Sequence, residues 1–408
     1  MQKSEDVVIP MQQSFNLDYY VGNSEILENV KKTSSLPIFS DVVMNFLEEF
    51  SKIILHDKAG REYPDVMTLG FWCRKAHLHE LKSDYRHLEN KLVQGRGIVF
   101  HIAPSNVAVN FAYSLVVGLL SGNVNIVRLP SNEFSQVDII CSALNKAIIT
   151  IPDMAKYILL VKYGHDREIN DYFSEICDTR IIWGGDNTIA EIRKSPLHAR
   201  ATEITFADRY SIAVIDSNTY LSLEDKEKVA SDFYNDTYLT DQNACTSPKL
   251  VVWLGNNKLE AKKIFWNNLY ELVKKKYTIQ PIQAVDKLTN TYLISANSDA
   301  HISYQKDNLL NVVNVKELSN KLLSFVGNSG FFIEYEANQI SEILSIVTER
   351  LQTVGYIGIE KNIWNDFIKK YCPAGIDRIV PIGHTMDFSL IWDGYDLITG
   401  LSRCKTCV

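Results

Sequence analysis

A cysteine among small polar residues is the first feature with chemical content. Cys245 lies in Asp241-Gln242-Asn243-Ala244-Cys245-Thr246-Ser247-Pro248, between an expected helix and an expected strand. A nucleophilic cysteine needs a stabilised thiolate and access to substrate. A loop of small residues offers backbone N–H groups to a developing oxyanion. A free cysteine more often serves as a small buried hydrophobe; the polar neighbours weaken that reading without removing it. A second feature is Ala103-Pro104-Ser105-Asn106, where a strand ends and a helix begins. Asn106 either caps that helix or aims its amide at an oxyanion. Three further turns close strands: Arg128-Leu129-Pro130-Ser131, Gly164-His165-Asp166 and Trp183-Gly184-Gly185-Asp186. Glycine admits close backbone approach, a following helix start attracts phosphate, and Arg128 suits bidentate phosphate binding. None of the three matches the GxGxxG fingerprint. Glu203, in Thr202-Glu203-Ile204-Thr205-Phe206, reads equally as a general base or as a paired structural carboxylate. No metal is expected: His77, His79 and His101 lack companion ligands, and Cys404-Lys405-Thr406-Cys407 supplies two thiols where zinc needs four ligands.

These residues must be positioned by regular elements. From Gly97 onward, short apolar runs alternate with helical stretches. Expected strands are Gly97–Ala103, Asn125–Leu129, Lys156–Lys162 and Thr179–Trp183. Expected helices are Val107–Leu120, ended by Gly122-Asn123, then Phe134–Thr150 and Arg167–Cys177. Such alternation predicts βαβ units and a parallel, doubly wound sheet. A second α/β unit begins near Arg209. Its expected strands are Ser211–Ile215, Lys249–Leu254, Gly330–Glu334 and Tyr356–Ile359, and its helices are Leu223–Asn235, Leu259–Lys276 and Asn338–Leu351. Upstream, Phe46–Leu55 and Phe71–Leu92 read as helices. The segment 255–325 is polar and gives little pattern beyond its first helix. From Pro373 the chain is rich in Gly, Asp and aromatics with little periodicity, as in a tail packed over something. The expected domains are 1–206, 207–372 and a C-terminal segment 373–408 near the active site.

Composition narrows the function classes. The 408 residues carry 42 Lys plus Arg against 49 Asp plus Glu, a net charge of −7, which does not suit a nucleic-acid binder. Met1 to Pro10 has acidic residues and no apolar core, so no signal peptide is expected. Val107 to Leu120 is too short to span a bilayer. Seven dispersed cysteines suggest a reduced, cytoplasmic chain rather than a disulfide framework.

In chain order the pieces resemble the aldehyde dehydrogenase superfamily, in which a PWN turn, a GNxxVxK strand, a GS turn, a glutamate and a cysteine follow one another. Here the matching residues are Pro104-Ser105-Asn106, Gly122-Asn123 through Arg128, Gly184-Gly185, Glu203 and Cys245. More specifically, the chain resembles the LuxC-type fatty acyl-CoA and acyl-protein reductases. That likeness rests on Asn243–Pro248, Leu351-Gln352-Thr353-Val354-Gly355, Gly375-Ile376-Asp377-Arg378-Ile379-Val380-Pro381-Ile382-Gly383, Asp387-Phe388 and Trp392-Asp393-Gly394-Tyr395-Asp396-Leu397. It runs from about residue 95 to about residue 403.

The resemblance implies an aldehyde-dehydrogenase-like α/β fold, with a Rossmann-type cofactor domain and a second α/β catalytic domain. It implies NADPH-dependent reduction of an acyl thioester, from coenzyme A, a carrier protein or an acylated partner enzyme such as a synthetase, to the aldehyde. Cys245 would form a thioacyl enzyme. Asn106 and the Cys245 N–H would face the oxyanion, with Glu203 as a third catalytic candidate. Ile102, Ala103, Pro104, Ser105, Arg128, Ser131, Gly164, Trp183, Gly184 and Gly185 would border the cofactor. A homo-oligomer is implied as well. The chain departs from the superfamily pattern at Ser105, which replaces tryptophan, and at Arg128, which replaces lysine and would favour a 2′-phosphate. No segment matches the family's EIFGP contact to the nicotinamide ribose. Two other readings stay open: a cofactor-free acyltransferase or thioesterase using Cys245, with a vestigial sheet at 98–186, and a non-catalytic partner of an acyl-activating enzyme.

Overall fold

A computed structural model describes residues 15–406. Met1–Pro10 and Cys407, considered above for export and metal binding, lie outside the described residues. The chain divides into two compact units, Met1–Ala207 with Leu397–Val408, and Asp208–Asp396. The segment 373–408, expected as one piece, is therefore shared between them.

The first unit is built on a six-stranded sheet. Its parallel strands lie in the order Ile158–Lys162, Val124–Arg128, Ile98–Ile102, Thr179–Trp183 and Thr202–Phe206. Asp18–Val21 joins the outer side of Ile158–Lys162 antiparallel. The strands read as continuous apolar runs because helices cover such sheets on both faces. The Asn110–Leu120 helix is almost wholly buried. It starts three residues later than expected, because Ser105–Val109 forms turns. Gly122 ends it as expected. Its φ is +82°, and an added Cβ would meet the Leu36 carbonyl oxygen at 2.1 Å. His101 belongs to the core, fixed between Ser114 Oγ at 2.8 Å and Asn125 Oδ1 at 3.0 Å.

The stretch Phe71–Leu92 is not one helix. Pro64–Trp72 and Lys75–Asp84 are separate helices, parted where Arg74 turns extended at ψ 144°. Beyond them Leu92–Gly95 pairs antiparallel with Ser402–Lys405, which brings the end of the described chain into this unit.

The second unit has seven strands in the order Ala300–Lys306, Leu310–Val315, Phe331–Glu336, Pro248–Leu254, Tyr210–Asp216, Leu351–Ile357 and Arg378–Pro381. Only the first pair is antiparallel. Two apolar clusters fill its faces. One gathers Ile212, Val252 and Ile333; the other gathers Ala213, Trp253, Phe265 and Trp266. Each large apolar side chain so buried contributes roughly 1.5–3 kcal/mol, which lets the sheet carry a buried carboxylate. Glu334 meets Lys262 Nζ at 2.8 Å and accepts from Trp266 Nε1 at 3.0 Å.

One local expectation is overturned here. Asn338–Leu351 is not an α-helix: a 3-10 turn covers Ile340–Ile346, and the strand begins at Leu351, not Tyr356. Ile340, Ile343, Leu344 and Val347 carry a helical spacing that ends at the Thr348–Arg350 turn. The β-branched Thr353 and Val354 then favour a strand. Gln352, one residue past the expected helix, thus lies at the start of a strand.

Candidate active site

Parallel strands bring their starts to one edge of the second sheet. Cys245 lies in a tight turn just before Pro248–Leu254. Ser211, Gln352 and Arg378 stand at the starts of the next three strands in order. Residues 107 and 133 positions beyond the cysteine thus reach the same edge through pairing register.

The cysteine turn is held from several sides. Asp241 and Gln242 adopt left-handed φ of 54° and 55°. Asp241 accepts from Tyr277 Oη and from Gln283 Nε2 at 2.7 Å. The buried Gln242 amide donates to the carbonyls of Pro248 and Phe331, and accepts from the Gly330 and Phe331 N–H groups. Lys249 donates to the Gln242 carbonyl, to Asn328 Oδ1 and, at 3.1 Å, to the Gly327 carbonyl. Burial lowers this lysine to about 7, so carbonyl dipoles rather than a charge partner carry its contacts. Ser211 Oγ donates to the Cys245 carbonyl at 2.7 Å, which ties the turn to the neighbouring strand.

The thiol is partly exposed at the residue level, yet its sulfur is crowded. Gln352 Nε2 lies 3.4 Å from Cys245 Sγ and also donates to Asp393 Oδ1. Asp393 is buried, has a left-handed φ of 49°, and lies 3.7 Å from Arg209 Nε. Arg209 also pairs with Asp377. Arg378 donates to the carbonyls of Thr385 at 3.0 Å and Asp387 at 2.8 Å, and its guanidinium lies 4.5 Å from the Trp392 ring centre. Phe388 stacks on Trp392. Burial pushes the Cys245 thiol up to about 11, helped by the Asp393 charge; the Gln352 N–H and Arg209 pull it down. In this state the sulfur is a thiol at neutral pH, and anything that strengthens the donors or screens Asp393 frees the thiolate.

The motif from Gly375 is strained where it turns toward this edge. Ile376, β-branched, has φ of 67°, and its N–H donates to the Leu351 carbonyl at 2.6 Å. An added Cβ on Gly375 would meet the Thr348 carbonyl oxygen at 2.1 Å. Sequence reasoning left Arg209, Gln352, Arg378 and Asp393 without roles. For Arg378 and Asp393 the signal was the run of Gly, Asp and aromatic residues from Pro373 with little period; Arg209 and Gln352 carried none.

The first unit gathers the other expected residues. Its strand order reverses beside Ile98–Ile102: the chain passes outward to Val124–Arg128 and Ile158–Lys162, then returns to Thr179–Trp183 on the other flank. A crevice at the carboxyl ends of such strands is where nucleotides bind open sheets. Ile102, Ala103, Pro104 and Ser105 leave one flanking strand; Trp183, Gly184 and Gly185 leave the other. Arg128, Ser131 and Gly164 follow the next two strand ends. Arg128 Nη2 donates to the Gly164 carbonyl at 3.0 Å while its guanidinium covers the Tyr163 ring. That bond uses a carbonyl, so the cation keeps its charge for an anion. A Cβ on Gly164 would meet nothing within 4 Å, which leaves its backbone open to close approach. These residues fit a dinucleotide. Ile102 and Trp183 offer it only backbone, because their side chains are buried and Trp183 stacks on Phe206 and donates to Ser114 Oγ at 2.9 Å. Asn106 is exposed in the turn; it does not cap the helix, whose cap position is Val109. Glu203 is occupied: Arg180 reaches it at 2.9 Å through Nε, and Arg193 Nε at 2.7 Å.

Two parallel-sheet units, one whose strand order reverses beside Ile98–Ile102 and the other with a cysteine at its strand-start edge, define an aldehyde-dehydrogenase-like fold. Solved structures agree. A NAD-dependent benzaldehyde dehydrogenase from Corynebacterium glutamicum matches with a TM-score of 0.61 at 14% identity, over 94% of this chain and 88% of its own. A betaine aldehyde dehydrogenase from Staphylococcus aureus matches at 0.64 and 11%, over 94% and 85%. Within that class the particular family is set by sequence: residues 76–404 match the family described as acyl-CoA reductase (LuxC), and the chain belongs to it. A long-chain acyl-protein thioester reductase from Aliivibrio fischeri is 23% identical over 301 residues, 71% of this chain. The match spans 59% of that relative's length. Among the described residues, no helix is long and apolar enough to cross a membrane.

Proposed function

We propose that this chain reduces an acyl thioester to the aldehyde, with NADPH as reductant and Cys245 as the nucleophile. The observation that carries the reading is the setting of Cys245: of the free cysteines described, it alone is partly exposed among two arginines and a buried carboxylate. Cys73, Cys141 and Cys177 are buried, and Cys372 and Cys404 lie exposed. Membership of the acyl-CoA reductase family supports the choice of a thioester.

In this reading the Cys245 thiolate attacks the acyl carbonyl, the bond from carbon to the donor sulfur breaks, and the donor thiol leaves with a proton. The Cys245 N–H and the Asn106 amide are the proposed oxyanion donors. NADPH, when bound, would supply a hydride to the enzyme-held thioester. The carbon–Cys245 bond then breaks, which releases the aldehyde and restores the thiolate. In this reading Arg128 would meet a 2′-phosphate, and the strand-end turns Ala103–Ser105 and Gly184-Gly185 would meet the pyrophosphate. We assign Glu203 to the fold: both its oxygens are taken by arginines, and thioester reduction needs no activated water. The acyl donor is a thioester of coenzyme A, of a carrier protein or of an acylated partner enzyme. A transferase without cofactor would leave residues 98–186 vestigial; the intact parallel sheet, with its strand order reversing beside Ile98–Ile102, favours the reductase.

NADPH absorbance followed with a long-chain acyl-CoA, together with intact-protein mass, tests this. Oxidation of NADPH with an acyl adduct on Cys245 is expected, and Cys245→Ala loses both while keeping its circular dichroism. Wild-type turnover in Cys245→Ala would overturn the assignment.

A further inference from the structure

Gln352 is buried, and its amide has one clear orientation. Its Nε2 faces two acceptors, the Asp393 carboxylate and the Cys245 sulfur at 3.4 Å. The opposite rotamer would set Oε1 against the Asp393 carboxylate, acceptor against acceptor. A primary amide has two N–H bonds, so Asp393 can take one while the other points at sulfur. Asp393 is itself fixed by Arg209, which Asp377 holds from the far side. A hydrogen bond to an ionised acceptor is about twice as strong as one to a neutral acceptor. A donor fixed on the sulfur therefore favours thiolate over thiol.

We propose that Gln352, oriented by Asp393, is the side-chain donor that stabilises the Cys245 thiolate, both as attacking group and as the group expelled when the aldehyde leaves. The proposal rests on Cys245 being the nucleophile. Gln352 touches the reacting atom and is in that sense catalytic; Asp393, acting through it, is a positioning residue. The charged groups facing the sulfur are Asp393 from the loop before Tyr395, Arg209 from the segment before the Tyr210–Asp216 strand, and Arg378 from the last strand. Asp393 acts in two opposed ways: its charge disfavours the thiolate, while its hydrogen bond aims the donor. Replacing it by asparagine separates the two, because the Asn oxygen still accepts from Gln352 while the charge is gone.

The test is the pH dependence of Cys245 alkylation by iodoacetamide, located by peptide mass, in the full chain. Gln352→Leu keeps volume and removes the donor. Its rate midpoint should rise by about one pH unit, so alkylation below the midpoint is about tenfold slower. Asp393→Asn should move the midpoint down. Gln352→Leu in the Asp393→Asn background should move it back up, which excludes an indirect effect through the Asp393 proton. An unmoved midpoint in both Gln352→Leu proteins would overturn the proposal, whatever happened to turnover. Acyl-CoA reduction measured in parallel keeps the two readings apart. A wild type that turns over with an unmoved Gln352→Leu midpoint sinks the donor role alone. A shifted midpoint in a protein that reduces no thioester sinks the reductase reading and leaves the donor standing.

Discussion

The two units present their candidate residues at opposite ends of their strands. In the first, Ala103–Ser105, Arg128, Gly164 and Gly184-Gly185 follow strands, where helices begin and backbone N–H groups point outward. In the second, Ser211, Gln352 and Arg378 begin strands, and Cys245 immediately precedes one. The chemistry differs accordingly. Strand ends suit a phosphate cradled by small residues and backbone. Strand starts, seated above a close-packed sheet, fix long polar side chains against one another and suit a reactive sulfur.

Buried charge follows the same division, and this gives the sharpest ways to break the comparison. In the first unit the buried Arg180 binds Glu203, Ser174 Oγ and the carbonyls of Ile192 and Ser195. If that network serves only the fold, Arg180→Met should lower unfolding free energy by roughly 3–5 kcal/mol, because Ser174 and the Ile192 and Ser195 carbonyls lose their buried donor and Glu203 keeps only Arg193. Urea unfolding measures the loss, and the Cys245 alkylation midpoint should not move. A moved midpoint would mean that the network reaches the chemistry.

In the second unit Asp236 is buried and accepts the N–H groups of Gly383 at 2.6 Å and Thr385 at 3.1 Å, which anchors the loop after the last strand. Burial raises it to about 6, against the pull of those donors. The folded chain therefore holds the proton more tightly than the unfolded chain does. The resulting stability is full below about pH 4 and is lost as pH rises through about 6, up to about 3 kcal/mol in all. Urea midpoints at the two ends of that window should show this fall in the wild type, and Asp236→Asn should flatten it. An unchanged slope in the variant would place the titration elsewhere.

The smallest effect is expected at the cofactor edge. Arg128→Ala should weaken NADPH binding about tenfold, about 1.4 kcal/mol, and leave NADH nearly unchanged. Equal weakening of both would remove the 2′-phosphate role and leave Arg128 as a brace between Tyr163 and Gly164.

Much of the first unit was legible because its signals are contiguous. Apolar runs of five residues, each closed by Gly or Pro, announce strands and their end loops, and the Val124–Arg128 and Thr179–Trp183 strands fall where the pattern predicted. The helix after Phe71 was misread because Arg74 breaks it by backbone conformation alone, with no Gly or Pro to mark the break. In the second unit the Cys245 loop was visible for the same local reason. Its partners were not, since Gln352 fell just past an expected helix and short of the next expected strand, and Asp393 lay in a run with no period.

By itself, the sequence determined the α/β alternation, the nucleophile candidate and the crevice loops, all properties of neighbours along the chain. The tertiary structure decided which strands align, and so which of many polar residues face the sulfur. It also decided that Glu203 is held by arginines while Gln352 is free to donate. Those outcomes depend on parallel register and on desolvation, which join residues 10 to 107 positions apart and leave no period in the chain to read.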